Sequence, residues 1–165
     1  MPDPAFAEPR LAAIYDDLDG ERDDLDVYVG LVTEFAARSV IDVGCGTGSL
    51  ASRLAAMGID VVGVDPAAAS LEVARRKPYA DRIRWIHGDA RSLGDHSADL
   101  IVMTGNVAQV FLTDDAWHTT LAALRAASSD DAVLVFETRD PAARAWRRWT
   151  RDDTHRVLDT AHGRV

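Results

Sequence analysis

The chain has 165 residues, 47% of them apolar and 27% charged, a length and balance that suit one globular domain with a core of its own. Eighteen basic against twenty-seven acidic side chains leave a formal net charge of −9, which disfavours a nucleic-acid substrate, and nothing resembles a membrane span. A single cysteine, Cys45, excludes an internal disulfide and a cysteine-based zinc site, and reads as a small packing residue rather than a nucleophile.

The opening stretch Met1-Pro2-Asp3-Pro4-Ala5-Phe6 has neither the basic region nor the apolar run of a secretory signal, so the cytoplasm is the default location. Leu11 to Ala37 reads as one or two helices laid against a sheet edge, with Tyr28 in their packing. Ser39 to Val43 forms a buried strand, Gly44, Gly46 and Gly48 a loop, and Ser49 to Met57 a helix that stops at Gly58. A second strand, Ile59 to Asp65, precedes a helix from Ala67 to Lys77 that is introduced by Pro66 and ends before Pro78. Ile83 to His87 is a third strand and Ala98 to Met103 a fourth. Thr113, with Asp114 and Asp115 behind it, opens a helix that carries Trp117, Leu121 and Leu124 on one stripe. Ala132 to Phe136 is a fifth strand, and Val157 to Asp159 with His162 to Val165 begins a hairpin whose turn lies at Ala161 to Gly163. The basic clusters Arg75-Arg76-Lys77 and Arg144, Arg147, Arg148 and Arg151 read as solvated faces.

Strands alternating with helices at this spacing predict an α/β fold, a three-layer sandwich around a mostly parallel twisted sheet. The expected organisation is a single domain with an N-terminal helical segment (1–38), a core (39–150) and a tail or incipient hairpin (151–165), with no internal boundary between Ser39 and Thr138.

The most informative stretch runs from Ser39 to Leu50, where strand, glycine loop and helix start occupy twelve residues. Alternate glycines let the backbone turn sharply and approach a ligand with no Cβ in the way, and the following helix turns its first N–H groups toward the same place. The second strand closes on Asp65, an acid about 20 residues beyond the glycines, where dinucleotide-type folds accept ribose hydroxyls. Asp65 also stands at the start of a helix, and the two roles are compatible.

These residues resemble the class I S-adenosylmethionine-dependent methyltransferases: Val40-Ile41-Asp42-Val43-Gly44-Cys45-Gly46-Thr47-Gly48 is similar to the family's first motif, Gly63-Val64-Asp65 to the second, and Gly88-Asp89-Ala90 to the turn after the third strand. The spacing G-x-G-x-G, with an acid two positions before the first glycine, differs from the G-x-G-x-x-G of nicotinamide and flavin binders. Asp42 would repel a pyrophosphate and suits a cationic amino group.

The resemblance implies S-adenosylmethionine as cofactor, S-adenosylhomocysteine as product and a small-molecule acceptor, with no metal, no nucleic acid and no membrane. It implies that Gly44, Gly46 and Gly48, with Cys45 and Thr47 between them, pass beneath the methionine moiety and that Asp42 faces its amino group. Asp65 would take the ribose hydroxyls, Pro66 next to it would also contact the cofactor, and Asp89 and the Ala90 N–H would read adenine. Thr104, Asn106 and Gln109 follow the fourth strand, where the family places residues around the methyl group. Tyr15, in a lid-like N-terminal segment, and Asn106 are the candidates to touch substrate. The five histidines are scattered and suggest no general base. Family members usually have seven strands; five are evident here, so a missing C-terminal portion is expected, and the open sheet edge it would leave invites homo-oligomers. A nicotinamide-dependent oxidoreductase and a catalytically inactive S-adenosylmethionine-binding domain remain as alternatives.

Overall fold

The computed structural model describes residues 3–165, so the first two residues of the stretch read above as carrying no secretory signal lie outside it. The strand order is β3-β2-β1-β4-β5, all parallel, from Ser39–Val43 (β1), Asp60–Asp65 (β2), Ile83–His87 (β3), Ala98–Met103 (β4) and Ser128–Phe136 (β5). The chain leaves β1 toward β2 on one side and returns later to β4 on the other. The end of β1 is therefore the topological switch point, where open α/β sheets leave a crevice beyond their carboxyl ends. The glycine loop sits at that point.

Parallel strands are buried on both faces, which is why β1 and β4 are almost continuous apolar runs. On one face Val40, Leu100 and Val102 pack with Leu25, Tyr28 and Val32 of helix Leu25–Glu34 (α3) and with Leu50, Ala51 and Leu54 of helix Ser49–Ala56 (α4). On the other, Ile41, Ile101 and Met103 meet Leu124 of helix Asp114–Ala126 (α6) and Leu93 of a 3₁₀ turn. The N-terminal helices thus include one that covers a face of the sheet rather than its edge. Two more precede it, Pro4–Ala7 (α1) and Pro9–Asp19 (α2), both packed on helix Ala68–Ala74 (α5).

Some boundaries move. The α5 helix is shorter than the expected Ala67–Lys77, and Pro66 lies outside it; Arg76 and Lys77 continue in tighter i to i+3 turns. The fifth strand begins at Ser128 because a bulge lets Asp130 and Asp131 loop outward between the pairs Ala98–Ser128 and Leu100–Val133. At the foot of β1 and β4, Asp99 accepts from the N–H groups of Arg38 (2.9 Å) and Ser39 (3.1 Å), while the Ser39 hydroxyl accepts from the Asp99 N–H (3.0 Å). Thr113 caps α6 by accepting from the Ala116 N–H at 3.2 Å. Thr113→Ala is expected to cost about 1 kcal/mol and to lower the melting temperature by roughly 2–4 °C, read by circular dichroism.

The tail forms a separate two-stranded antiparallel ribbon of Asp159–Thr160 (β6) and Gly163–Arg164 (β7), turned at Ala161 and His162. It does not join the five-stranded sheet, so the outer side of β5 is left unpaired among the described residues.

Candidate active site

Asp42 is the most unusual group at the switch point. It faces away from solvent at 1% exposure, between β2 and β4, and its Oδ1 has no hydrogen-bond partner. Burial, followed by the neighbouring Asp65 carboxylate, pushes its pKa up to about 7, against a weaker opposing pull from Arg22. A buried unpaired carboxylate oxygen costs a few kcal/mol, and a bound cationic donor would remove that cost.

Asp65, at the tip of β2, accepts from the Gly46 N–H (2.8 Å) and the Ala67 N–H (2.7 Å), one bond to each oxygen. It ties the glycine loop to the start of α5, and burial raises its pKa. Asp65 does not cap α5, whose N-cap position is Ala67 with no side-chain bond, and a ribose role stays compatible with its two backbone contacts because each oxygen keeps a second lone pair. The first N–H groups of the loop are not free, however: Gly44 and Cys45 donate to Val64 O and Gly48 to Cys45 O. A phosphate cradle would need those amides.

The glycines are glycines for different reasons. A Cβ on Gly44 would lie 2.4 Å from Val107 Cγ2, and one on Gly48 would lie 2.6 Å from the Trp85 ring; both have left-handed φ, at +72° and +78°. Gly46, at φ +53°, faces open space. Only Gly46 therefore presents a bare backbone outward, while its two neighbours make room for side chains of the protein. Cys45 is buried with its thiol pushed well above the ordinary range by burial, so it is the packing residue its composition suggested.

Asp89 and Pro66 line one open depression with His87, Gly88, Arg91 and Ser92 at the ends of β2 and β3. The Asp89 carboxylate caps the 3₁₀ turn Ala90–Leu93 through the Arg91 N–H (2.9 Å) and pairs with the Arg91 guanidinium (2.6 Å), which holds its pKa low. Ala90 is buried behind it. Thr104 is buried at the end of β4, and Gly105 and Asn106 then take consecutive left-handed conformations, at φ +62° and +65°. The Asn106 side chain does not cap the following 3₁₀ turn, and the exposed Gln109 accepts from the Arg139 N–H at 3.3 Å. Tyr15 is half-buried against Phe6, its ring 5.3 Å away, and burial raises its pKa.

Three groups escaped the sequence reading. Asp16 of α2 accepts from the Thr47 hydroxyl (2.5 Å) and pairs with Lys77 (2.7 Å), whose ammonium also donates to Ser49 Oγ (2.8 Å). Lys77, with 19% of its side chain exposed, is thus a structural cation and not part of a solvated face, whereas Arg144, Arg147, Arg148 and Arg151 are exposed as expected. Arg22 is held by Asp19 (2.7 Å) and Asp24 (2.8 Å) close enough to be felt by Asp42. Glu137 follows β5 and accepts from the Asn106 N–H at 3.1 Å. Applied to the fifth strand as to the others, the strand-end rule would have found Glu137; no local pattern marks Asp16.

A family model for the methyltransferase domain matches residues 40–131, which carry the glycine loop, Asp42, Asp65, Asp89 and the segment after β4. The chain belongs to the methyltransferase-domain family. An uncharacterized methyltransferase of Mycobacterium tuberculosis is 37% identical to it over 83 residues, which are 50% of this chain and 30% of that one. A TehB-like S-adenosylmethionine-dependent methyltransferase from Corynebacterium glutamicum superposes with a TM-score of 0.66 at 26% identity, covering 81% of this chain and 73% of the other. An amino pentose methyltransferase from Micromonospora echinaspora, solved with S-adenosylmethionine bound, gives 0.66 at 26% identity over 78% of this chain and 55% of its own. This methyltransferase-domain chain therefore spans well under half the length of the mycobacterial relative. No helix among its described residues is long and apolar enough to cross a membrane.

Proposed function

We propose that this chain transfers a methyl group from S-adenosylmethionine to a small-molecule acceptor. One observation carries the reading: the partnerless, buried Asp42 oxygen at the switch point, which calls for a cationic donor. The residues fit such a ligand. Asp42 would hold its ammonium group, Asp65 its ribose hydroxyls, Gly46 would lie along the methionine chain, and Pro66, Asp89 and the Ala90 N–H would border the adenine. Thr104 and Asn106 would flank the transfer site, and Tyr15 would stand at its N-terminal side. When bound, the cofactor supplies an already activated methyl on sulfur. The protein then has only to align an acceptor and exclude water, which agrees with the absence of a catalytic triad signature in the sequence.

Against a pyrophosphate-bearing nicotinamide cofactor stand the Asp42 carboxylate and loop amides already engaged within the protein. A small acceptor also suits the charge of −9 better than a polyanion does. We further propose a single domain, with residues 1–38 as a lid, 39–150 as the cofactor-binding core and 151–165 as its tail, and self-association through the free edge of β5, which sedimentation would reveal.

Calorimetry with S-adenosylmethionine, S-adenosylhomocysteine and NAD on wild type and Asp65→Ala tests the ligand class and the site together. The first two ligands should bind, and the variant should lose about 1–3 kcal/mol through a missing buried acceptor. Heat with NAD alone would overturn the reading, and unchanged affinity in the variant would remove Asp65 from the site. Tight binding without turnover over a broad acceptor panel would identify an inactive binding domain instead.

A further inference from the structure

We propose that Glu137 is a positioning residue that holds the segment after β4 against the glycine loop; the inference rests on the methyltransferase reading of that loop. Gly105 and Asn106 take consecutive left-handed conformations, which glycine and asparagine tolerate better than other residues but which their local preference alone does not fix. Such a backbone persists when its surroundings over-determine it. Two ties of opposite sense do so. The Glu137 side chain accepts from the Asn106 backbone (3.1 Å), and the Gln109 side chain accepts from the Arg139 backbone (3.3 Å).

Glu137 also lies beside a core helix: Tyr28 of α3 is 5% exposed, and burial, followed by the nearby Glu137 carboxylate, raises its pKa. One carboxylate thus stands between a core helix, the end of β5 and the loop after β4, to which it is bonded. The loop passes its position on: the Val107 methyl groups occupy the place a Cβ on Gly44 would need. Without the carboxylate, Asn106 relaxes toward ordinary backbone angles, Val107 leaves Gly44, and the bed of the methionine moiety loses its support. Glu137 acts through Asn106 and Val107 and need not touch a reacting atom.

The test compares Glu137→Ala, Glu137→Gln, Tyr28→Phe and the double variant Glu137→Ala/Asn106→Gly in the full chain. Each is read by calorimetry with S-adenosylhomocysteine, by amide exchange at residue 106 and by thermal melting. Glu137→Ala should weaken binding on the order of tenfold and expose the Asn106 amide to exchange. Glu137→Gln, whose amide oxygen still accepts, should stay within about threefold of wild type, and so should Tyr28→Phe, which keeps the Asn106 tie. Asn106→Gly adopts the left-handed turn freely and should restore much of the affinity lost in Glu137→Ala. A general loss of stability would not be repaired by that glycine. Wild-type affinity in Glu137→Ala, or a Glu137→Gln variant as weak as Glu137→Ala, overturns the proposal. If wild type itself does not bind the nucleoside, the methyltransferase reading fails separately. Amide exchange then decides the role of Glu137, and an Asn106 amide equally protected with and without the carboxylate refutes it.

Discussion

Asp42→Asn is expected to weaken S-adenosylhomocysteine binding by about 3 kcal/mol, on the order of a hundredfold, because it removes one partner of a buried charge pair. The same variant should change the pH profile. The Asp42 carboxyl, raised by burial and by Asp65 to about 7, is about half ionised at neutrality in the free protein and mostly protonated below it. A cationic ligand prefers the ionised form, so wild-type affinity should climb about tenfold per pH unit below 7 and level off above it. Asp42→Asn should flatten that climb, while Asp65→Ala, which keeps the Asp42 carboxyl but removes one cause of its raised pKa, should retain it with a midpoint at lower pH. Calorimetry from pH 5.5 to 8.5 reads both, and a flat wild-type profile would contradict the assignment.

Stability without ligand moves the opposite way. A carboxyl whose folded pKa lies above its unfolded value keeps its proton better in the folded state, so it favours folding at low pH. That advantage is lost as pH rises from about 4 through about 7. A shift of this size corresponds to about 4 kcal/mol, so ligand-free Asp42→Asn should melt above wild type at pH 8, by less at pH 5, and close to it only near pH 4. The site is built at the expense of the free protein's stability, and the ligand restores what the carboxylate costs.

Gly48→Ala should destabilise the fold by about 3 kcal/mol and lower the melting temperature by roughly 6–12 °C. Two effects add: an alanine held at φ +78° is strained, and its Cβ would lie 2.6 Å from Trp85 and 3.0 Å from the Ala74 Cβ. The Trp85 ring cannot withdraw freely, because its Nε1 donates to Ala80 O at 3.1 Å and its face also fills the space beside Gly63. Gly46→Ala meets no neighbouring atom, so it should cost about 1 kcal/mol of stability and be felt mainly in cofactor affinity. Equal melting losses at the two positions would show that Trp85 does not govern the choice of glycine at 48. Gly48→Ala combined with Trp85→Phe should recover the part of the steric cost that Trp85 imposes and leave the Ala74 contact and the backbone strain.

Residues 39–65 show why part of this molecule was legible early. A buried parallel strand must be apolar on both faces, a left-handed turn favours glycine, and an acid closing a strand stands at the crevice wherever that strand lies in the sheet. These constraints act within a few residues, so all five strands and Asp42, Asp65 and Asp89 could be placed from local pattern. Local pattern misjudged the edges. The α5 helix stops short, and Lys77 turns inward to Asp16 and Ser49, because partners 28 or more positions away decide it.

By itself the sequence determined the α/β class, the family, the switch-point loop and the carboxylates at the strand ends, since each follows from backbone geometry and the burial of short apolar runs. Only the tertiary structure decided what the loop rests on and what it leaves open. Trp85 lies under Gly48, Val107 fills the hollow of Gly44, Asp16 bonds Thr47, Glu137 fixes Asn106, and one oxygen of Asp42 is left without a partner. Contacts between distant residues depend on how the layers pack around the sheet, and packing is a property of the whole chain that no local spacing records.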